Sequence, residues 1–262
     1  MTPIEITPDS IHRLPNVEWL GKEWLSIVDE TGSTNADLLQ NGADLPHGAL
    51  LIADHQTAGR GRRERRWFGL PGRDLLFSFL LRPDVDREII PSLSLAIGLT
   101  AADAIRQFVG SAVRLKWPND VLVAGRKICG ILCQSSLAEN PFVVVGVGIN
   151  VNSRADERPA ELRSLAISLA DFANAAIPRP DVLRHFLPAC EKRYAQWRTD
   201  RRRLFADWER QANLKGQTIT VKDDEQTFTA VAIALDDFGN LIVETGGQRR
   251  LVTCGDVFLQ GD

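Results

Sequence analysis

Nine consecutive residues, GRGRRERRW from Gly59 to Trp67, hold five arginines in a 262-residue chain whose formal net charge is -3. Guanidinium groups bind carboxylates and phosphates through paired N–H donors, and glycines at 59 and 61 let backbone N–H groups come close to an anion. Two lysines stand in motifs further on, Lys116 in KWPND (116–120) and Lys127 in GRKICGIL (125–132). Small hydroxyls and amides gather in TGSTN (31–35), and paired glycines in VGVGINVN (145–152). By residue type alone, the arginine segment fits a phosphate-binding loop, a nucleic-acid patch or a solvated surface turn.

Several chemistries are excluded. The dinucleotide fingerprint GxGxxG fails because Glu64 stands where the third glycine belongs, and no GxxxxGK[ST] loop exists. No GxSxG elbow is present, which removes the usual serine-hydrolase signature. The cysteines (Cys129, Cys133, Cys190, Cys254) form no CxxC pair and the histidines no HExxH, so no protein-built metal site is expected. On a strand, Cys129 and Cys133 share a face, which predicts buried free thiols. The sequence around the arginines lacks a basic face to extend a nucleic-acid footprint, so no nucleic-acid partner is expected.

The elements that must position these residues are legible from their periodicity. ALLIAD (49–54) and DLLFSFLL (74–81) predict strands that bracket the arginine segment. Residues 91–109 predict a helix with Pro91 in its first turn. Short strands are expected at 113–116, 120–123, 127–134 and 141–151, with mainly helical segments at 162–173 and 180–212. Ser33 or Thr34 is placed to begin a helix through NADLLQN. From about Leu214 the texture changes to short alternating β runs with Asp-Asp, Asp-Asp-Phe-Gly-Asn and Gly-Gly turns, which predicts a small β-barrel. The expected division is a catalytic domain over 1–212 and a small β domain over 213–262. The longest apolar runs fall far short of the ~20 residues of a membrane span, so no membrane contact is expected. No basic start precedes an apolar run at the N-terminus, so a cytoplasmic chain is expected.

TGSTN, GRGRRERRW, KWPND, GRKICGIL and VGVGINVN, in this order and spacing, resemble the biotin–protein ligase family from about residue 27 to the C-terminus, in a short form without a DNA-binding domain in front. The resemblance implies an α+β fold: a mixed β-sheet flanked by helices, of the class II aminoacyl-tRNA synthetase and biotin ligase type, with a small Src-homology-3-like β-barrel after it. It implies that biotin and ATP form biotinyl-5'-AMP, with magnesium carried on ATP, and that biotin then passes to a lysine of a biotin carboxyl carrier protein. A homodimer through an exposed sheet edge is compatible with it. Carboxylate and phosphate repel by about 4 kcal/mol at ~4 Å and an effective dielectric near ~20, so catalysis is mostly charge neutralisation and positioning.

By resemblance, Lys116, Arg60 and Arg62 carry the chemistry. Ser33, Thr34, Asn35, Gln56, Arg60, Gly61, Arg62, Lys116, Gly146 and Gly148 hold biotin. Arg62, Arg65, Trp67, Lys116, Asn119, Lys127 and Asn150 hold ATP, and no metal ligand is assigned. Two positions depart from the family pattern: Glu64 replaces a usual glycine, and Gln134 stands where glutamate is common after GIL. A lipoate or octanoate ligase or transferase shares the fold and is the nearest rival. An arginine-loop nucleic-acid-binding protein is the rival from another class.

Overall fold

Continuous apolar runs build the central strands and the main helix of this protein, which is described here from a computed structural model over residues 6–136, 140–223 and 225–259. Asp224, in the expected Asp-Asp turn, and the chain ends of both expected domains lie outside the described residues.

After a short helix α1 (Pro8–His12) come β1 (Leu25–Thr31), α2 (Thr34–Asn41), β2 (Leu50–Gln56) and β3 (Leu75–Leu81). The apolar helix α3 (Leu93–Val109) leads into β4 (Val113–Lys116), β5 (Asp120–Val123), β6 (Arg126–Ser136) and β7 (Phe142–Ile149). Helices α4 (Leu169–Ala173), α5 (Arg179–Thr199) and α6 (Arg201–Ala212) follow. The chain then enters β8 (Thr218–Lys222), β9 (Thr227–Leu235), β10 (Leu241–Thr245), β11 (Gln248–Val252) and β12 (Asp256–Leu259).

The first seven strands form one mixed sheet in the order β1-β2-β3-β7-β6-β5-β4, parallel only between β1 and β2. Period-2 alternation divides its faces. Phe77, Phe79, Val145, Val147, Cys129 and Ile131 point into the main core with α3, α5 and α6. On the other face, Leu80 and Val144 pack under Leu38 of α2. The stretch Arg87–Ala112 is apolar enough to cross a membrane by length and composition, yet 72% of its most apolar window is buried inside the protein, as in a core helix. The last five strands form a separate antiparallel sheet, β11-β10-β9-β8-β12, whose edges are β11 and β12.

Two expectations change. Residues 162–173 are not one helix: the backbone of Lys127 pairs with Leu165 and Ile167 (2.8 and 2.9 Å), so this segment is spent as an edge beside β6. Helix starts only at α4, where the Ser168 hydroxyl caps the Asp171 N–H at 3.0 Å. The 180–212 helical region is broken at Asp200, whose carboxylate caps the start of α6 through the Arg203 N–H at 3.1 Å. Arg201, Arg202 and Arg203 therefore open a new helix.

The thiols are free, with Cys129 and Cys190 buried. Burial pushes both thiols well above the ordinary thiol range, and raises Cys133 to about 12. None of these three is poised as a thiolate at neutral pH.

Candidate active site

The site face of the sheet is defined by what is missing from it. On β7 the inward residues Val145, Val147 and Ile149 leave Gly146 and Gly148 on the opposite face. Gly130 of β6 pairs with Gly148, and Leu132 with Gly146. A side chain at these glycines would collide with two others: a Cβ on Gly146 would lie 2.1 Å from Asn35 Oδ1, and one on Gly148 2.4 Å from the Trp67 indole. The glycines make a floor on which Asn35 and Trp67 rest two residues apart along β7.

At the Gly146 end a chain of uncharged polar groups crosses the sheet. The Thr34 N–H donates to Gln56 Oε1 (2.7 Å), and the Thr34 and Ser78 hydroxyls lie 2.6 Å apart. Ser78 Oγ donates to Asn35 Oδ1 (2.6 Å), and Asn35 Nδ2 donates to Gln134 Oε1 (2.8 Å) and the Leu132 carbonyl (3.2 Å). Ser33 caps α2, its hydroxyl accepting from the Ala36 N–H at 3.5 Å. Thr34, Asn35, Gln56 and Gly146 thus lie together, with Ser33 one residue before Thr34 as the helix cap. Ser78 was missed: it hides in the apolar run LLFSFLL, where only its polarity among buried neighbours marks it.

The arginine segment is a tight hairpin. The Trp67 N–H donates to the Gly59 carbonyl (2.9 Å), the Gly61 N–H donates to that of Arg65 (2.6 Å), and Arg60 bridges Arg66. Trp67 folds over Gly130 and Gly148, and Lys127 Nζ sits 5.4 Å from its ring centre. Lys127 is held by Asp120 at 2.7 Å. The turn of the hairpin strains Arg63 and Glu64, whose φ values of 52° and 58° are left-handed. A non-glycine residue there costs about 1–2 kcal/mol. Glu64→Gly should raise folding stability by about 1 kcal/mol in urea denaturation; a lower midpoint would contradict this.

The third group lies where the hairpin meets the KWPND turn. The Trp117–Pro118 bond is cis, and Asn119 Nδ2 donates to the Ile131 carbonyl (2.8 Å), fixing the turn on β6. Arg62 Nη1 donates to Asn119 Oδ1 at 3.0 Å and to the Gly255 carbonyl at 3.3 Å, so two distant motifs share one guanidinium. Burial pushes the Arg62 guanidinium below its ordinary value, and Asp256 opposes that shift. Lys116 Nζ lies 4.1 Å over the Phe258 ring, and Arg65 pairs with Asp256. Neither Asp256 nor Phe258 carries a sequence motif, because both belong to a β run read as structural.

Arg60 is exposed and stands apart from this cluster. Asn150 is buried, its Nδ2 donating to the carbonyls of Lys127 (3.3 Å) and Ile167 (3.1 Å), which ties the end of β7 to the edge segment. Beside it, buried Asp74 accepts from the Val151 N–H at 2.9 Å; burial pushes its carboxyl above the usual range, against the pull of these backbone bonds.

Uncharged polar side chains therefore gather over Gly146, and Trp67 with Lys127 over Gly148 and Gly130, on one face of the sheet. Residues 26–152 match the Biotin/lipoate A/B protein ligase family, and residues 215–260 match the Biotin protein ligase C terminal domain. The biotin--[acetyl-CoA-carboxylase] ligase of Mycobacterium tuberculosis is 38% identical over 247 residues, covering 90% of each chain. The chain belongs to the biotin–protein ligase family. Another relative in this family, the bifunctional ligase/repressor BirA of Bacillus subtilis, is 34% identical over 236 residues, 89% of this chain and 72% of its own. Among solved ligase structures, that of Aquifex aeolicus in complex with biotin and ATP matches with a TM-score of 0.78 and 28% identity, over 90% of this chain and 98% of that one.

Proposed function

We propose that the glycine-floored cleft performs ATP-dependent ligation of biotin to a protein lysine. The observation that carries this reading is Arg62 bonded to Asn119, which brings the hairpin's cations to the KWPND turn beside the floor. The uncharged end suits a neutral ureido ring, because Ser33, Thr34, Asn35 and Gln56 offer both donors and acceptors. Gly146 and Gly148 let Asn35 and Trp67 settle close to the sheet, so that these two side chains can face the ring and tail. Arg60, Gly61 and Arg62 close over the acid, and Trp67 covers it. ATP is assigned to Arg62, Arg65, Lys116, Asn119, Lys127 and Trp67, with Asn150 at the adenine end.

In the first step a biotin carboxylate oxygen bonds to the α-phosphorus of ATP, the bond to the bridging oxygen breaks, and pyrophosphate leaves. In the second, a neutral lysine amine bonds to the acyl carbon of biotinyl-adenylate, the carbon–oxygen bond breaks, AMP leaves, and the proton lost by the nitrogen passes to water. Both steps need cations placed on anions, and no covalent enzyme intermediate is required. Magnesium carried on ATP would add positive charge against the phosphate oxygens and would ask few ligands of the protein. Among the described residues no three His, Cys, Asp or Glu side chains come together as a cage.

The acceptor in this reading is a biotin carboxyl carrier protein, and the compartment is the cytoplasm. A second copy would pair at β1 or β4, the edges of the large sheet. Incubation with ATP, labelled biotin and a purified carrier domain should label one carrier lysine, and replacing that lysine with arginine should abolish the signal. Label on AMP-activated biotin with none on the carrier would refute the acceptor.

A further inference from the structure

Asp256 begins β12, at the edge of the small sheet, yet its surroundings belong to the hairpin. Arg65 Nη2 lies 2.5 Å from one carboxylate oxygen and Arg63 Nη1 3.6 Å from the same oxygen, while Arg62 Nη1 lies 3.7 Å from the other. The Gly255 carbonyl accepts from Arg62, and that of Lys222 from Arg63 at 3.5 Å. Gly255 has φ of 141°, and a Cβ there would lie 3.1 Å from the Lys222 carbonyl, so the bend that presents Asp256 depends on glycine. Two residues along the strand, on the same face, Phe258 lies under Lys116. One short strand therefore engages both the hairpin cations and Lys116.

Three guanidinium groups around one carboxylate is the arrangement a phosphate would otherwise receive. Without an anion they repel one another, and the hairpin would splay. We propose that Asp256 is a positioning residue that serves as a built-in anion: it holds Arg62, Arg63 and Arg65 together when no nucleotide is bound, and it is exchanged for phosphate oxygens of ATP. A polyphosphate carries several negative charges against one, so it wins the guanidiniums, and the carboxylate must leave because the two anions repel. The small sheet thereby competes with ATP for the hairpin. This inference rests on the ATP-dependent reading of the cleft.

Asp256→Asn keeps the size of the side chain and removes its charge. With competition gone, KM for ATP in biotin-dependent pyrophosphate exchange should fall about fivefold, the weight of roughly one partly exposed ion pair, while Asp256→Glu should behave as wild type. An unchanged or raised KM in a folded Asp256→Asn protein overturns the proposal. Wild-type protein supplies an independent arm through amide hydrogen exchange. Adding ATP and biotin should slow exchange across 59–67 and speed it across 253–258, because the carboxylate is released as the hairpin closes on phosphate. Slowing in both segments would overturn the proposal even if the variant failed to fold. Wild-type protein with no biotin-dependent exchange would instead defeat the reading of the cleft.

Discussion

Arg62→Ala should lower biotin-dependent exchange of pyrophosphate into ATP by about 10²–10³-fold, the loss typical of removing one preorganised donor to developing charge. The guanidinium is three-quarters buried, with 23% of its side chain exposed, and Asn119 of the large sheet's KWPND turn holds it at 3.0 Å. That fixing matters more than charge alone: an arginine left mobile would have to be ordered at every turnover, whereas this one is already placed. Burial lowers its pKa, yet the ordinary value lies so far above neutrality that it stays charged, as Asp256 favours. Arg62→Lys should recover little of the loss, because an ammonium cannot bond Asn119 and reach an anion bidentately as a planar fork does. Steady-state exchange assays on folded variants would check this, and Arg62→Ala within about threefold of wild type would contradict a transition-state role.

Lys127→Ala should cost about 10²-fold in the same assay. The ammonium stands 2.7 Å from Asp120 and 5.4 Å from the Trp67 ring centre, at the glycine floor. A ligand acid or phosphate arriving on that floor meets a lysine already oriented by a carboxylate and an aromatic face. The loss should appear in kcat more than in KM if the lysine acts on developing charge, and in KM alone if it merely attracts ATP. Lys116→Ala is the comparison: as the residue assigned to the chemistry in KWPND, it should cost at least as much as Lys127→Ala, with its ammonium 4.1 Å over the Phe258 ring. A Lys116 effect well below that of Lys127 would move the catalytic role to Lys127.

The site residues were legible through the motifs that carry the family resemblance, while residue type and spacing alone left capping, surface-charge and bulge readings open. TGSTN, KWPND and VGVGINVN each end a strand or open a helix; the fold sets Asn35 of the first on Gly146 of the third and ties Asn119 of the second to Ile131 on the neighbouring strand. The strands around the arginines were readable as short continuous apolar runs bounded by breakers, and both are buried on both faces over most of their length. Ser78 was not, since a single hydroxyl inside LLFSFLL reads as a neutral strand residue until its partners are known. Asp256 was hidden further: its partners lie about 190 positions back along the chain (|i−j| = 191 for Arg65), a pairing that local pattern does not encode. Residues 162–173 were misread because helix-forming residues there are drawn into pairing with β6, a tertiary contact that overrides propensity.

Glu64 shows the sequence posing a question that the backbone answers. It departs from the family's glycine, and it does adopt the left-handed conformation at φ 58° that glycine would take at lower cost. Arg63 beside it does the same, so the hairpin turn carries its strain on two side-chain-bearing residues. Its charged neighbours are gathered by the small sheet, which supplies a contact able to hold a strained turn in place.

At the centre stands the claim that cations from separate segments let two negatively charged partners react on this floor. Incorporation of labelled pyrophosphate into ATP, measured with and without biotin on folded wild-type protein, tests it most directly. Exchange that appears only when biotin is added is the expected result. Exchange that proceeds equally without biotin, or none at all from folded protein supplied with magnesium, ATP and biotin, would contradict it.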